Sequence, residues 1–179
     1  RPDARAPLAI FFTSGSTGSP KGVTHTHGSL GAGVASLRAG VALVKGDVVL
    51  PATSLSHAAA FYLTMASLTA GLRTLVARVT EPPELLDLLR AERPTVLCML
   101  PAPLFALVRD HGAGRQDFAS LRLAIAGGDK VSAELEREFG ALAGLGLEEV
   151  YGMTEIGYAS LNHPPPGRPG SLGRPLPGI

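Results

Sequence analysis

The sequence predicts an α/β fold, a largely parallel sheet with flanking helices. Three observations predict it. Helical and strand-like segments alternate from one end of the chain to the other. The strand segments are short continuous apolar runs without in-and-out alternation, so both of their faces are covered. The 22 glycines and 15 prolines fall mostly between these runs, as tight turns do, and do not form a disordered tail.

The elements follow in order. Leu8–Phe12 is a short apolar run that ends in a Ser/Thr/Gly loop, and reads as a strand. Ser29–Ala39 places Leu30, Val34 and Leu37 at near-helical spacing, with Ser29 as the expected N-cap. Val48–Leu50 is a strand stopped by Pro51. Ala58–Ala70 is a helix closed by Gly71. Leu72–Val79 reads as a strand. Pro82–Glu92 is a helix with Leu85, Leu86, Leu88 and Leu89 turned inward and proline at its start. Thr95–Leu100 is a buried strand, Pro103–Arg109 a helix, and Leu121–Ala126 a strand running into Gly127 and Gly128. Ser132–Phe139 is a helix with Ser132 at its cap. The proline- and glycine-rich stretch from His163 to Gly178 reads as an extended loop.

Composition removes several function classes. The net charge is +1, which gives no footprint for nucleic acid or an acidic membrane surface. Between Asp47 and Arg73 no Asp, Glu, Lys or Arg occurs. That stretch is long enough for a bilayer, but Pro51, Ser54, Ser56, His57, Thr64, Ser67 and Gly71 interrupt it. It reads as a buried strand followed by a buried helix, so no transmembrane segment is predicted. Cys98, the single cysteine, lies in an apolar run and reads as a small buried hydrophobe. One cysteine forms no internal disulfide, which fits a reducing cytoplasm. No secretory leader is predicted, because Arg1–Arg5 is polar and no apolar stretch of the right length follows.

The stretch that carries chemistry runs from Thr13 to Gly22, reading TSGSTGSPKG. Gly15, Gly18 and Gly22 let backbone N–H groups turn toward one point. Thr13, Ser14, Ser16, Thr17 and Ser19 supply five hydroxyl donors, and Lys21 a mobile positive charge. Together these groups suit a chain of phosphates. A flexible Gly/Ser linker is the plain alternative, but a linker needs no Pro20 and Lys21 at fixed places after a buried strand. The P-loop needs adjacent Gly-Lys followed by Ser or Thr, and the dinucleotide fingerprint needs G-x-G-x-x-G; neither fits.

The loop instead resembles that of the acyl-adenylate-forming superfamily: acyl-CoA synthetases, luciferases and the adenylation domains of peptide synthetases. Their loop reads T-S-G-[ST]-T-G-x-P-K-G, and residues 13–22 fit it throughout. A second family signature, Y-G-x-T-E, stands at Tyr151-Gly152-Met153-Thr154-Glu155. A strand ending in Gly-Gly stands at Ala126-Gly127-Gly128, and Gly173-Arg174-Pro175 resembles the family's G-x-P turn. Asp129 departs from the pattern, where a small residue or Glu is common. The resemblance covers essentially the whole chain and is closest to acyl-CoA synthetases and fatty-acid–CoA ligases.

It implies roles residue by residue. Thr13, Ser14, Ser16, Thr17 and Lys21, with Gly15 and Gly18 shaping the loop, would hold the β- and γ-phosphates of ATP. Gly127 and Gly128 would let backbone approach the adenine, and Tyr151 and Gly152 would lie near the base. Thr154 would hydrogen-bond the α-phosphate, and Glu155 would ligate Mg²⁺, which prefers hard oxygen ligands. His57 would stand at the mouth of an acid pocket that Ala126 and Met153 help to line. Taken alone, a single histidine such as His57 is more often a structural residue; its place between a strand and a buried helix favours the pocket reading. The resemblance also implies a ribose-binding Asp, a hinge and a catalytic Lys, none of which falls within residues 1–179. The chain is therefore expected to be an AMP-binding core fragment, lacking an N-terminal part and a small C-terminal domain.

The implied reaction is activation of a carboxylic acid to acyl-AMP, then transfer to a thiol, CoA or that of a carrier protein. Amino-acid-activating members tend to carry an Asp before the helix that follows the second apolar strand, as partner to the substrate's ammonium. Residues 53–61 here hold no acid, and Ala58, Ala59 and Ala60 leave room for an apolar chain. A fatty or aryl acid is favoured. An amino-acid-activating domain and a non-catalytic nucleotide-binding fragment remain the alternatives.

Overall fold

The computed structural model describes residues 2–14, 18–78, 80–162 and 168–179. The chain opens with an antiparallel ribbon. β1 (Pro7–Thr13) pairs with β2 (Lys21–Thr26), Phe11 opposite Val23 and Thr13 opposite Lys21. β2 lies in a stretch where the sequence predicts no element. Its KGVTHT composition looks like loop, because only one face of the ribbon meets the core.

α1 (His27–Gly40) follows, and starts two residues before the expected cap. Thr26 is the N-cap. Its Oγ1 accepts from the Ser29 N–H at 3.1 Å, and the Thr26 N–H donates to Ser29 Oγ at 3.0 Å. Ser29 is thus the inner member of a reciprocal capping box, not the cap.

β3 (Val48–Pro51) leads to α2 (Ala58–Thr69), after which Gly71 takes φ +70°. β4 (Arg73–Thr74) is all that forms of the strand expected over 72–79; Val79 lies outside the described residues. Val48 and Val49 pair with it, and the Leu75 N–H donates to the Val49 carbonyl at 2.8 Å. Beyond that point the edge is left and Val76 faces solvent.

α3 (Pro82–Glu92) is as predicted, with Leu85, Leu86 and Leu89 buried and Leu88 partly so. β5 (Val96–Met99), α4 (Pro101–Arg109), the single turn α5 (Arg115–Phe118) and β6 (Leu123–Gly127) come next. α4 begins two residues early, because Pro101 serves at the first turn, where a missing N–H costs nothing. α6 (Ala133–Ala143) is capped by Ser132 Oγ on the Leu135 N–H at 3.1 Å, and ends on Gly144 at φ +69°. It runs four residues past the expected end, through Gly140, and stops where Gly144 takes the left-handed conformation. β7 (Leu147–Met153), β8 (Gly157–Leu161) and the two-residue β9 (Arg174–Pro175) close the chain. β9 lies in the stretch read as loop; residues 163–167 of that stretch lie outside the described residues.

The sheet has seven strands in the order β4-β3-β5-β6-β7-β8-β9. β4 to β7 run parallel, and β8 and β9 are antiparallel additions. Both faces are covered, as the continuous apolar runs demanded. Leu50, Leu97, Met99, Ala124 and Ala126 pack under α3, α4 and α6. Val49, Val96, Leu123 and Ile125 alternate with them and pack under α1 and α2. Among the described residues no helix is long and apolar enough to cross a membrane. The uncharged stretch is β3 plus the twelve-residue α2.

β7 buries two carboxylates. Glu149 Oε1 accepts from the Val131 N–H at 3.3 Å, while Glu148 Oε2 has no hydrogen-bond partner among the described residues. Burial raises the Glu148 carboxyl above its ordinary value. A raised acid favours the fold while protonated, and that contribution is lost as pH climbs from the ordinary carboxyl range through the raised value. Glu148→Gln should therefore stabilise the fold at pH 7 more than it does near pH 4. Denaturant melts at the two pH values check this; an equal difference at both would mean that ionisation is not the cause.

Candidate functional site

The turn of the β1–β2 ribbon is the glycine-rich loop. Thr13 and Lys21 stand opposite each other at its base, so the ladder sets both side chains on one face of the ribbon. Lys21 and Ser14 are exposed, and Lys21 makes no ion pair among the described residues. Gly18 takes φ +85° in open space, a conformation that suits glycine. Gly15, Ser16 and Thr17 lie outside the described residues.

A cavity of about 400 Å³ opens at the carboxyl ends of β5, β6 and β7, against the start of α2. Such ends are where open parallel sheets bind ligands, since the strands stop and the loops part there. His57, Gly127, Gly128, Gly152, Met153 and Thr154 all line it. Residues far apart in the sequence and singled out from it thus share one wall. Ala126 does not; it is buried on the α3–α4–α6 face, since strand alternation turns it there with Met99.

Gly127 is required by packing. A Cβ there would sit 2.5 Å from the Val150 carbonyl oxygen. Gly128 takes φ +83°, and carries the chain out over the cavity mouth.

The lining holds Thr53, Ala58, Ala59, Cys98, Met99, Leu100, Val150, Gly157 and Tyr158 besides, and among the described residues no Asp, Glu, Lys or Arg. Cys98 packs against the α1–α2 core cluster, as its apolar run suggested, and is partly open to the cavity. Its Sγ lies 3.5 Å from the Tyr158 hydroxyl, which donates to the Ala59 carbonyl at 3.1 Å. Burial pushes the thiol up to about 11 and the Tyr158 phenol well above its ordinary value. Both stay protonated at neutral pH, so the inner wall is uncharged and Cys98 is no thiolate nucleophile.

A second cavity of about 460 Å³ adjoins the first and shares Gly128, Val150 and Gly152 with it. Tyr151, 43% exposed, faces it together with Asp129, Lys130, Glu149 and Gly170. The strand pair β6–β7 therefore divides two neighbouring spaces, one uncharged and one polar. Glu155 is exposed on the β7–β8 turn, which closes through the Ile156 N–H to the Met153 carbonyl at 3.2 Å. No cluster of three or more His, Cys, Asp or Glu forms among the described residues.

Sequence reasoning misses His25, Tyr62, Cys98 and Tyr158 as parts of this region. His25 is buried, with its Nε2 at 2.7 Å from the Thr154 carbonyl and its Nδ1 at 3.2 Å from the Tyr62 hydroxyl. The one local signal is a histidine in an otherwise polar strand just after the loop. Nothing local indicates its partner 129 residues on.

A family model described as AMP-binding enzyme matches residues 1–179. A fatty acid–[acyl-carrier-protein] ligase of Streptomyces coeruleorubidus is 32% identical over 97% of this chain and 35% of its own. 4-Coumarate–CoA ligase 1 of Oryza sativa subsp. japonica is 33% identical over 84% of this chain and 28% of its own. Among solved structures, ATP-bound MatB from Rhodopseudomonas palustris superposes with a TM-score of 0.87 at 29% identity, covering 99% of this chain and 35% of that one. The chain spans about a third of the length of the relatives it matches.

Proposed function

The chain belongs to the AMP-binding enzyme family, and from that premise we propose that it is the nucleotide- and acid-binding core of an enzyme that activates a carboxylic acid with ATP. A carboxylate oxygen attacks the α-phosphorus, the bond to the β-phosphate oxygen breaks, and pyrophosphate leaves acyl-AMP behind. A thiol then attacks the acyl carbon and AMP departs. The observation that carries this reading is the pair of adjoining cavities along β6–β7, which share Gly128, Val150 and Gly152, with Thr154 lining the first of them and Glu155 next to it on the β7–β8 turn.

The uncharged cavity takes the acid's tail and the polar one the nucleotide, so carboxylate and α-phosphate meet where Gly128, Val150 and Gly152 line both. Gly127 and Gly128 keep that approach open, Tyr151 offers a ring face to the base, and Thr154 is placed to donate to the α-phosphate. Lys21 and Thr13, with Ser14, Ser16 and Thr17, hold the outer phosphates. Their work is to orient the triphosphate in line and neutralise its charge, which supplies much of the catalysis in phosphoryl chemistry.

Mg²⁺ fits the residues present on one condition. The described residues form no three-ligand cluster that would cage a cation by protein alone. A single carboxylate plus phosphate oxygens and water is an ordinary magnesium set. Glu155 would hold the ion, which would neutralise charge on the phosphates.

The acid we propose is fatty or aryl, with His57 at the mouth of the cavity and Met153 along its side. An ammonium group in that cavity would meet no carboxylate, and a buried charge without a partner is costly. This disfavours an amino-acid-activating domain. Exposed Lys21 and Glu155 disfavour a non-catalytic remnant. The acceptor we propose is CoA, with a carrier-protein thiol as the second reading. The compartment we propose is the cytoplasm, since the one cysteine of residues 1–179 forms no disulfide within them.

ATP–pyrophosphate exchange with a panel of fatty, aryl and amino acids tests the reading. Fatty or aryl acids should support exchange; exchange with amino acids alone would overturn the choice of acid. In the full-length enzyme, Lys21→Ala should raise the KM for ATP more than that for the acid. Removing one charge-assisted hydrogen bond costs about 1.5–3 kcal/mol, roughly 10- to 100-fold. Unchanged ATP kinetics would remove the triphosphate assignment.

A further inference from the structure

We infer that His25 is a positioning residue, whose imidazole locks the Thr154–Glu155 turn to the ribbon that carries the phosphate loop. The inference rests on the proposed reading of the site and adds a residue to it that the loop motif does not include.

The geometry is specific. β7 and β8 stop pairing at Met153 and Gly157, so the Thr154 carbonyl has no ladder partner. His25 Nε2 lies 2.7 Å from it. A carbonyl oxygen only accepts, so Nε2 carries the proton. The Tyr62 hydroxyl then donates to Nδ1 at 3.2 Å. Each ring nitrogen thus has one partner, and the tautomer is set by both.

The ring cannot swing away from this arrangement. His25 is 3% exposed, with Phe11 and Tyr62 each packed edge-on at a centroid distance of 5.8 Å. Tyr62 is itself 1% exposed and packs over Gly157, the first residue of β8. A Cβ on Gly157 would lie 2.9 Å from the Tyr62 ring. The aromatic pair therefore holds the turn at both of its ends, at Thr154 through a hydrogen bond and at Gly157 through packing.

The consequence concerns relative placement. The phosphate loop belongs to the β1–β2 ribbon, a separate two-stranded sheet, whereas Thr154 and Glu155 belong to the seven-stranded sheet and its β7–β8 turn. Among the described residues no backbone ladder joins one sheet to the other. His25 stands four residues after Lys21 on β2 and reaches directly to the backbone of Thr154. It is thus a polar strut between the groups that hold the outer phosphates and those at the α-phosphate. Reacting groups misplaced by about 1 Å lose orders of magnitude in rate, so a strut here acts on turnover more than on acid binding.

The test uses the full-length enzyme with Lys21→Ala as a control. His25→Leu fills the space and removes both hydrogen bonds. It should lower the rate of acyl-adenylate formation at saturating ATP and acid about tenfold, as removing one ordinary hydrogen bond from a positioned state does. The KM for the acid should stay within about twofold, and calorimetric ATP affinity should weaken in the absence of acid. His25→Gln, which keeps a donor near Nε2, should recover most of the rate. Tyr62→Phe should lower the rate severalfold and add nothing in the His25→Leu background. A His25→Leu enzyme with wild-type turnover and ATP affinity but a lower melting temperature would overturn the inference, as would His25→Gln no better than His25→Leu. If His25→Leu does not fold, wild-type turnover and ATP affinity in Tyr62→Phe overturn it. If Lys21→Ala also leaves ATP kinetics unchanged, the reading of the whole site fails, not the strut alone.

Discussion

Glu155→Gln in the full-length enzyme should lower acyl-adenylate formation on the order of a hundredfold, the usual scale for removing one preorganised electrostatic interaction from a reacting phosphate or oxyanion. It should also shift the Mg²⁺ concentration needed for half-maximal rate upward. Glu155 is exposed on a turn and makes no ion pair among the described residues, so its carboxylate has no structural task to lose. Of the neighbouring carboxylates, Glu149 accepts from the Val131 N–H through Oε1 and Glu148 is buried, whereas Glu155 is exposed. Gln keeps the length and shape and removes the charge. Exposed substitutions of this kind change stability by no more than about 0.5 kcal/mol, so the melting temperature should hold. The measurement is the initial rate against free Mg²⁺ at saturating ATP. A wild-type rate at low Mg²⁺ would make Glu155 a plain turn residue.

The sheet is legible in the sequence where strands are covered on both faces. Val48–Leu50, Thr95–Leu100 and Leu121–Ala126 carry no polar alternation, and each forms a central parallel strand. Where burial and polarity part company, the strand is hidden. β7 holds Glu148 and Glu149, and nothing local says that two acids are buried side by side in a sheet. β2 reads as the end of a loop because its outer face is polar. The proposed phosphate loop stands out in the sequence for a different reason: its hydroxyls, glycines and lysine are consecutive residues. The cavities do not, since their walls come from the ends of strands that are neighbours only in the fold. Tyr158 and Cys98 are 60 residues apart and face each other across one wall. His25 and Thr154 meet by the same logic, through tertiary placement and not spacing.

Expressed by itself, the segment 1–179 should self-associate and form no measurable acyl-adenylate. The structural ground is β1. Leu8, Ile10 and Phe12 alternate along one face of that strand and are 45%, 57% and 73% exposed, while Phe11 between them is buried against His25 and Phe61. Three large apolar side chains in a row on a two-stranded ribbon form a patch, and both outer edges of the ribbon are unpaired among the described residues. Apolar patches beside open strand edges are templates for association. The chemical ground is the division of labour in the proposed site. This segment supplies the loop, Thr154 and Glu155, but the ribose Asp and adenylation Lys that the family resemblance implies do not lie within it. Rate falls steeply when either positioning or charge neutralisation is incomplete. Light scattering and ATP–pyrophosphate exchange with fatty and aryl acids check both halves. Replacing Ile10 and Phe12 with lysine should shift the segment toward monomer, since it places charge on the exposed face and leaves the Phe11 face alone. Unchanged association would show that another surface is responsible. Turnover by a soluble monomer would show that the groups between Thr13 and Glu155 suffice for adenylation, and that the site ends sooner than the resemblance implies.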